Sequence, residues 1–310
     1  MKIFDIVTLT LNPSIDKSAS FSGLIPEQKI RCESPRYDAG GGGINVSKAI
    51  VRLGGKSLCI FTSGGSTGER LEKLIQDEDI ESKSIPTQNW TRENFIGFDT
   101  ITKAQYRFGF PGTELSETEK GTILQTIKEL KTNYLVISGS LNEGLHPDFY
   151  QKITVVAKSS GAKVIVDTSG EALQKVLETG VYLVKPNIGE LAKLIGVERL
   201  ERHEVELAAK KIIEKGSAKI IVVSLGAQGA ILVTKDQTEF VKAPNVEKKS
   251  TVGAGDSMVG AMVWALSQNK PLIEVIQWGV SCGSAATMNE GTQLFKLEDA
   301  KRLFDEMQGE

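Results

Sequence analysis

Glycine, carboxylate and helix-forming residues fall in an order suited to phosphoryl transfer at Ser250-Thr251-Val252-Gly253-Ala254-Gly255-Asp256-Ser257-Met258. Two glycines just ahead of a helix let the backbone turn sharply and approach a ligand. The apolar run from Val259 to Leu266 reads as that helix. Its first N–H groups point outward unpaired, with the positive end of the dipole behind them. That makes an anion site. Asp256 sits in the same turn, where a lone carboxylate repels an anion unless it takes a proton from the group that attacks a phosphate. On this reading the stretch holds an anion cradle and a base. An aspartate capping its own helix after a glycine turn explains the same residues without chemistry, and G-x-G-D alone does not choose.

Asn12-Pro13-Ser14-Ile15-Asp16 follows a strand-like run from Ile3 to Leu11. Pro13 breaks that run and leaves Asp16 just past its tip, where open α/β sheets bind ligands. Asp16 could equally satisfy turn amides. Gly40-Gly41-Gly42-Gly43 precedes a helical face of Ile44, Ala49, Ile50 and Leu53, with Gly54 as its stop. Four glycines can be a hinge. Directly before a helix they better suit backbone amides approaching a small ligand, with Asn45 adding a side-chain amide. Gly55-Lys56-Ser57 looks like the end of a P-loop, but the required first glycine falls at Ile50 and the order is helix to strand, which excludes it.

The elements that must position these residues fall into two kinds. From Glu114 onward helices and strands alternate, with helices at 116–130, 147–159, 171–177, 189–195 and 204–215 and strands at 134–137, 163–166, 182–184 and 219–224. This is the βαβ signature of a mostly parallel sheet covered by helices. Hairpin-like strands follow at 230–234 and 239–242, and helices at 271–286 and 297–307. The small-residue run Val280 to Ala286 suits either a flat ring lying on the backbone or tight helix packing. Two excursions lack helices: Ser18–Leu24 with Lys29–Cys32, and Asn94–Thr100 with Gln105–Phe110. They predict a small antiparallel sheet over one face of the domain. The second carries Trp90-Thr91-Arg92 and Tyr106-Arg107-Phe108, arginines among aromatics where a surface arginine is ordinarily just solvated.

Composition narrows the function class. The chain has 310 residues, 25% charged and 40% apolar, as in a soluble globular protein with one large or two smaller domains. A formal net charge of -2 argues against partners held by a basic field, whether nucleic acid or membrane. Cys32, Cys59 and Cys282 are scattered without a C-x-x-C, which suits a reducing compartment and gives no zinc framework. His146 and His203 alone argue against a His-ligated metal or a Ser-His-Asp triad. Met1-Lys2-Ile3-Phe4-Asp5 turns polar too soon for a signal peptide, and no run reaches membrane-spanning length. The expected location is the cytoplasm.

Three motifs in order resemble the ribokinase-like sugar kinases of the PfkB type. Gly40 to Val46 looks like the N-terminal glycine signature, Lys185-Pro186-Asn187-Ile188-Gly189-Glu190 contains N-x-x-E, and Ser250 to Met258 looks like the C-terminal signature. Within the family, Thr8 to Asp16, Trp90-Thr91-Arg92, Gln105 to Phe108, Val136 to Ser140 and Gly253 to Met262 most resemble the kinases of phosphorylated ketohexoses, of the bacterial 6-phosphofructokinase type. Asn142-Glu143-Gly144 departs from the Pro-Pro-Gly turn that related enzymes often carry.

The resemblance implies a ribokinase-like α/β fold, a mostly parallel sheet sandwiched by helices. The large domain spans 1–16, 38–89 and 111–310, and a β-sheet lid spans 17–37 and 90–110, through which two chains pack as a homodimer. It implies ATP as phosphoryl donor, with Asp256 as base toward the C1 hydroxyl of fructose 6-phosphate. Amides of Gly253, Ala254, Gly255 and Asp256 would hold the transferred charge. Asn187 and Glu190 would orient Mg²⁺ through water. Asp16, Gly41, Gly42 and Asn45 would bind sugar hydroxyls, and Ser140, Arg92, Arg107 and a partner lid's Lys29 the sugar's phosphate. Lys185, Asn187, Ser224, Gly226, Gly229, Thr251, Gly253, Gly255, Val280 and Ser284 would surround the nucleotide. A tagatose 6-phosphate or fructose 1-phosphate kinase stays open, as does a non-catalytic nucleotide-binding regulator. A dinucleotide oxidoreductase lacks G-x-G-x-x-G between strand and helix and the ribose-binding acid.

Overall fold

The computed structural model describes residues 4–309, so Ile3, the expected start of the first strand, lies outside the described residues. The chain opens with β1 (Ile6–Thr10), β2 (Ser14–Phe21) and β3 (Arg36–Gly40), then α1 (Gly42–Arg52). β4 (Leu58–Ser63), α2 (Gly65–Gln76) and β5 (Ser82–Pro86) follow, then β6 (Arg92–Asp99) and β7 (Gln105–Phe108). Alternation begins with α3 (Glu117–Glu129), β8 (Tyr134–Ser138), α4 (Phe149–Ser159) and β9 (Lys163–Asp167). It continues through α5 (Gly170–Leu177), β10 (Val181–Val184), α6 (Ile188–Leu194), α7 (Val205–Glu214) and β11 (Ala218–Ser224). The hairpin β12 (Ala230–Val233) and β13 (Thr238–Val241) precedes α8 (Ala254–Ser267), α9 (Leu272–Thr287) and α10 (Leu297–Gln308).

The main sheet has the order β13-β12-β11-β10-β9-β8-β1-β4-β5, parallel except for β12 and β13. Its strands are apolar on both faces because helices cover both. Val7, Leu9, Leu135 and Ile137 pack with α3 to α7, while Ile6, Tyr134 and Val136 pack with α1, α8 and α9. β1 is the switch point, since the chain leaves it toward β4 on one side and later returns to β8 on the other. Ligand crevices in such sheets open there, at the carboxyl ends of the strands. No helix among the described residues is long and apolar enough to cross a membrane.

The second sheet, ordered β3-β2-β6-β7, differs from the expected one. It is mixed: β2–β3 and β6–β7 are antiparallel, but the central pair β2–β6 is parallel. Lys29–Cys32 forms no strand and offers only an isolated bridge from Cys32 to Phe21. Glu27 at φ 61 turns the chain after Pro26, and the segment stays largely exposed, without the packing that fixes a strand. The partner of β2 is instead Arg36–Gly40, directly before the glycine run. Pro13 redirects the chain from the main sheet into β2, so Asp16 lies inside a lid strand rather than at a free tip. The edge strand β5 was not expected, since Ser82-Lys83-Ser84-Ile85-Pro86 buries only Ile85.

Candidate active site

Helices α1 and α8 both begin at this crevice and pack closely, because a Cβ on Gly260 would lie 2.6 Å from Ala49 Cβ. That contact aligns their first turns, and Asn45 Nδ2 donates to Asp256 Oδ2 at 2.9 Å. The N-cap of α8 is Gly253 at φ 74, with no side-chain cap. Asp256 therefore does not cap its own helix. The first helical bond runs from Ser257 N to Gly253 O, which leaves the amides of Gly255 and Asp256 without intrahelical acceptors. Burial raises the Asp256 carboxyl, and Asp167 and Asp16 add to it. Asn45 and Lys185 pull the other way, and the result is about 6. A base poised near neutrality suits proton removal from an alcohol.

Lys185 lies buried just beyond β10, with its Nζ 3.2 Å from Asp167 Oδ1. Burial alone would lower its pKa, but Asp167, Asp256 and Glu190 outweigh that and raise it, so the ammonium stays charged. A Cβ on Gly255 would sit 3.5 Å from that ammonium, so Lys185 faces the start of α8. Asn187 and Glu190 form a reciprocal capping box on α6: Glu190 N donates to Asn187 Oδ1 and Asn187 N to Glu190 Oε2, each at 2.9 Å. N-x-x-E is thus a helix start in its own right. Its amide and carboxylate oxygens are hard donors of the kind Mg²⁺ takes through water, so this donor set fits that ion.

On the lid side, Asp16 Oδ1 accepts from Ser14 Oγ and Asn94 Nδ2, both at 2.8 Å. Gly42 wedges against the end of β8, where a Cβ would meet Ser138 Oγ at 2.3 Å, and Gly41 holds φ 121. The glycine run is therefore demanded by packing as well as by any ligand. Arg92, at the start of β6, donates to Asn12 O at 3.1 Å and Phe110 O at 3.0 Å. Its buried Nε has no protein acceptor among the described residues. Asn12 Nδ2 also reaches Ser140 Oγ at 3.1 Å, so Arg92 and Ser140 meet around Asn12. The turn after Ser140 keeps Gly144 at φ 74, and Asn142 anchors it to Thr113 O at 2.9 Å.

Arg107 is exposed on β7 opposite Ile96, and Lys29 is exposed in the loop after β2. Neither joins the Arg92 cluster within one chain. Among the residues expected around a nucleotide, Ser224 bridges to Asn187, and the exposed Gly226 at φ 60 opens a short turn. Gly229 is required by packing, since a Cβ would lie 2.0 Å from Val241 O. Thr251 is exposed beside the cradle and Ser284 half-buried on α9. Val280 is buried in the core, and a Cβ on Gly279 would meet Met262 at 2.8 Å, so the small-residue run serves the α8–α9 packing. Asp167, Asn12 and Asn94 carry no assigned role in the sequence pattern. Asp167 ends a parallel strand, a position that could have marked it.

Residues 5–300 match the pfkB family of carbohydrate kinases. The chain is 42% identical over 301 residues to the ATP-dependent 6-phosphofructokinase isozyme 2 of Escherichia coli K12, covering 96% of this chain and 97% of that one. It is 32% identical over 296 residues to a 1-phosphofructokinase of Bacillus subtilis 168, covering 94% and 95%. Among solved structures it superposes on Escherichia coli phosphofructokinase-2 in complex with fructose-6-phosphate with a TM-score of 0.93 at 40% identity, covering 99% of this chain and all of that one. The tetrameric inhibited form of that enzyme gives 0.92.

Proposed function

The chain belongs to the pfkB family of carbohydrate kinases, and from that premise we propose that it phosphorylates fructose 6-phosphate at the C1 hydroxyl with ATP. The observation that carries this reading is Asp256, raised to about 6 and held by Asn45 beside the Gly255 and Asp256 amides, which have no intrahelical acceptor. Asp256 takes the C1 hydroxyl proton as that oxygen bonds the γ-phosphorus. The bond from the γ-phosphorus to its bridging oxygen breaks, and ADP leaves with the electron pair. The α8 amides and Lys185 hold the charge that spreads over the transferred group. Asp16 and Asn45 orient sugar hydroxyls. Arg92, with its unpaired buried Nε, and Ser140 hold the 6-phosphate.

The product, fructose 1,6-bisphosphate, suits a cytoplasmic glycolytic step. Mg²⁺, which screens the phosphates of ATP, would be held through water by Asn187, Glu190 and Asp167. Glu190→Gln separates that role from capping, because Gln also serves a capping box. The melting temperature should hold while the Mg²⁺ concentration for half-maximal rate rises several-fold. An unchanged Mg²⁺ midpoint would leave Glu190 as a cap only.

Leu24, Ile25, Ile101, Phe108 and Phe110 are 46–67% exposed on the lid, an apolar surface that suits a second copy. ADP release should be fastest with fructose 6-phosphate among that sugar, tagatose 6-phosphate, fructose 1-phosphate and free fructose, in a preparation with the mass of at least two chains. Faster release with fructose 1-phosphate would move the reading to the activity named for the Bacillus relative. No release with any sugar would leave a nucleotide-binding regulator.

A further inference from the structure

The segment between α9 and α10 touches both the lid and the phosphoryl cradle. On the cradle side, Ser250 Oγ donates to Gly291 O at 2.9 Å and accepts from Val252 N at 3.2 Å. Leu294 fills the space that Gly253 leaves, with its Cδ2 2.5 Å from where a Cβ would stand. On the lid side, Thr292 Oγ1 donates to Asp38 Oδ2 at 2.6 Å, across 254 residues of sequence. Farther along, Arg52 of α1 donates to Phe295 O at 2.9 Å.

Asp38 is buried on β3 and stands directly across the strand pair from Asp16. Its other oxygen, Oδ1, takes both Nε and NH2 of Arg36, at 2.9 and 2.7 Å. Arginine fixes one oxygen and the threonine hydroxyl takes the second, a short charge-assisted bond. The carboxylate thus has one orientation, and that orientation depends on where β3 lies.

We propose that the Asp38–Thr292 hydrogen bond is a positioning contact through which the lid sets the α8 cradle, so that turnover requires a seated lid. A sugar that draws in Asp16 on β2 also fixes Asp38 on the paired strand. Thr292 carries that placement to Gly291 and Leu294, and these bear on Ser250 and Gly253. Neither residue touches substrate; both act through the loop.

The proposal deepens the phosphotransferase reading and rests on it, and the test keeps the two apart. Thr292→Val removes the donor at nearly constant volume. It should lower kcat about tenfold, the usual worth of a hydrogen bond to a charged group, while the calorimetric Kd for fructose 6-phosphate stays within about twofold. Thr292→Ser restores the hydroxyl and should recover most of the loss. Asp38→Ala combined with Thr292→Val should be no slower than Asp38→Ala alone, because both remove one contact. Amide exchange over 250–256 should quicken alike in Thr292→Val and Asp38→Ala, whatever the substrate proves to be. Unchanged exchange in both variants, unchanged kcat in Thr292→Val, or multiplicative losses in the double variant each overturn the contact. Absence of ADP release by the unmodified chain counts against the phosphotransferase reading instead, and the exchange comparison then decides the contact by itself.

Discussion

Asp256→Asn should lower kcat by roughly 10²–10⁴, the usual contribution of a positioned general base. The amide keeps the shape of the carboxylate and can still meet Asn45, so the α1–α8 contact survives. The cradle is backbone, so nucleotide and sugar affinities should change little. With Asp256 at about 6, the unmodified chain should gain activity as pH rises through that value and level off above it, because the ionised form is the base. The variant should lose that limb. Stability moves the other way. A folded pKa above the ordinary 3.8 means that ionising Asp256 is harder in the folded chain than in the unfolded one. The folded state is therefore favoured at low pH and penalised as pH rises through 6. At pH 8 Asp256→Asn should melt no lower than the unmodified chain, and above it if burial dominates. Near-normal turnover in the variant would remove Asp256 as the base.

Residues that read clearly in the sequence are those whose role is local. Gly253 to Asp256 announce a helix start by themselves, and the βαβ run from Glu114 shows its period directly. Residues that read poorly are those fixed by partners far along the chain. Asp167 is one carboxylate at a strand end until β9 and β10 lie side by side and Lys185 Nζ comes within 3.2 Å. Asn12 looks like a turn residue before a proline until β6 brings Arg92 to its carbonyl. The lid shows the same limit. Two helix-free stretches signalled a sheet, but its parallel central pair depends on β2 and β6 arriving from opposite ends of a βαβ excursion, which no local pattern records. N-x-x-E shows the converse, since a motif read for metal also performs an ordinary capping task that its spacing alone would explain.

Arg92 and Arg107 separate a phosphosugar kinase from a kinase of neutral sugars. Ile96 stands two residues beyond Asn94 on β6 and opposite Arg107 on β7, so Arg107 projects from the same lid face as Asn94 and its partner Asp16. Arg92 begins that strand four residues earlier, about 13 Å along the lid at the usual strand rise. A sugar phosphate carries nearly two charges at neutral pH, and guanidinium forks match its oxygens. A neutral sugar has no use for two such groups over its pocket, and each would cost desolvation on closure. Burial lowers the Arg92 pKa and the Asp16 carboxylate opposes that shift only in part. Removing either arginine should cost on the order of tenfold to a hundredfold in kcat/KM for fructose 6-phosphate, at about 1.5–3 kcal/mol per charge-assisted bond. Activity on free fructose should barely move. Arg92→Ala also releases Asn12 O and Phe110 O, so part of its loss can come from the loop. Arg107 is exposed and holds no such frame, which makes Arg107→Ala the cleaner of the two. If both variants keep kcat/KM for the phosphorylated sugar, the phosphate site lies elsewhere and the neutral-sugar reading takes its place.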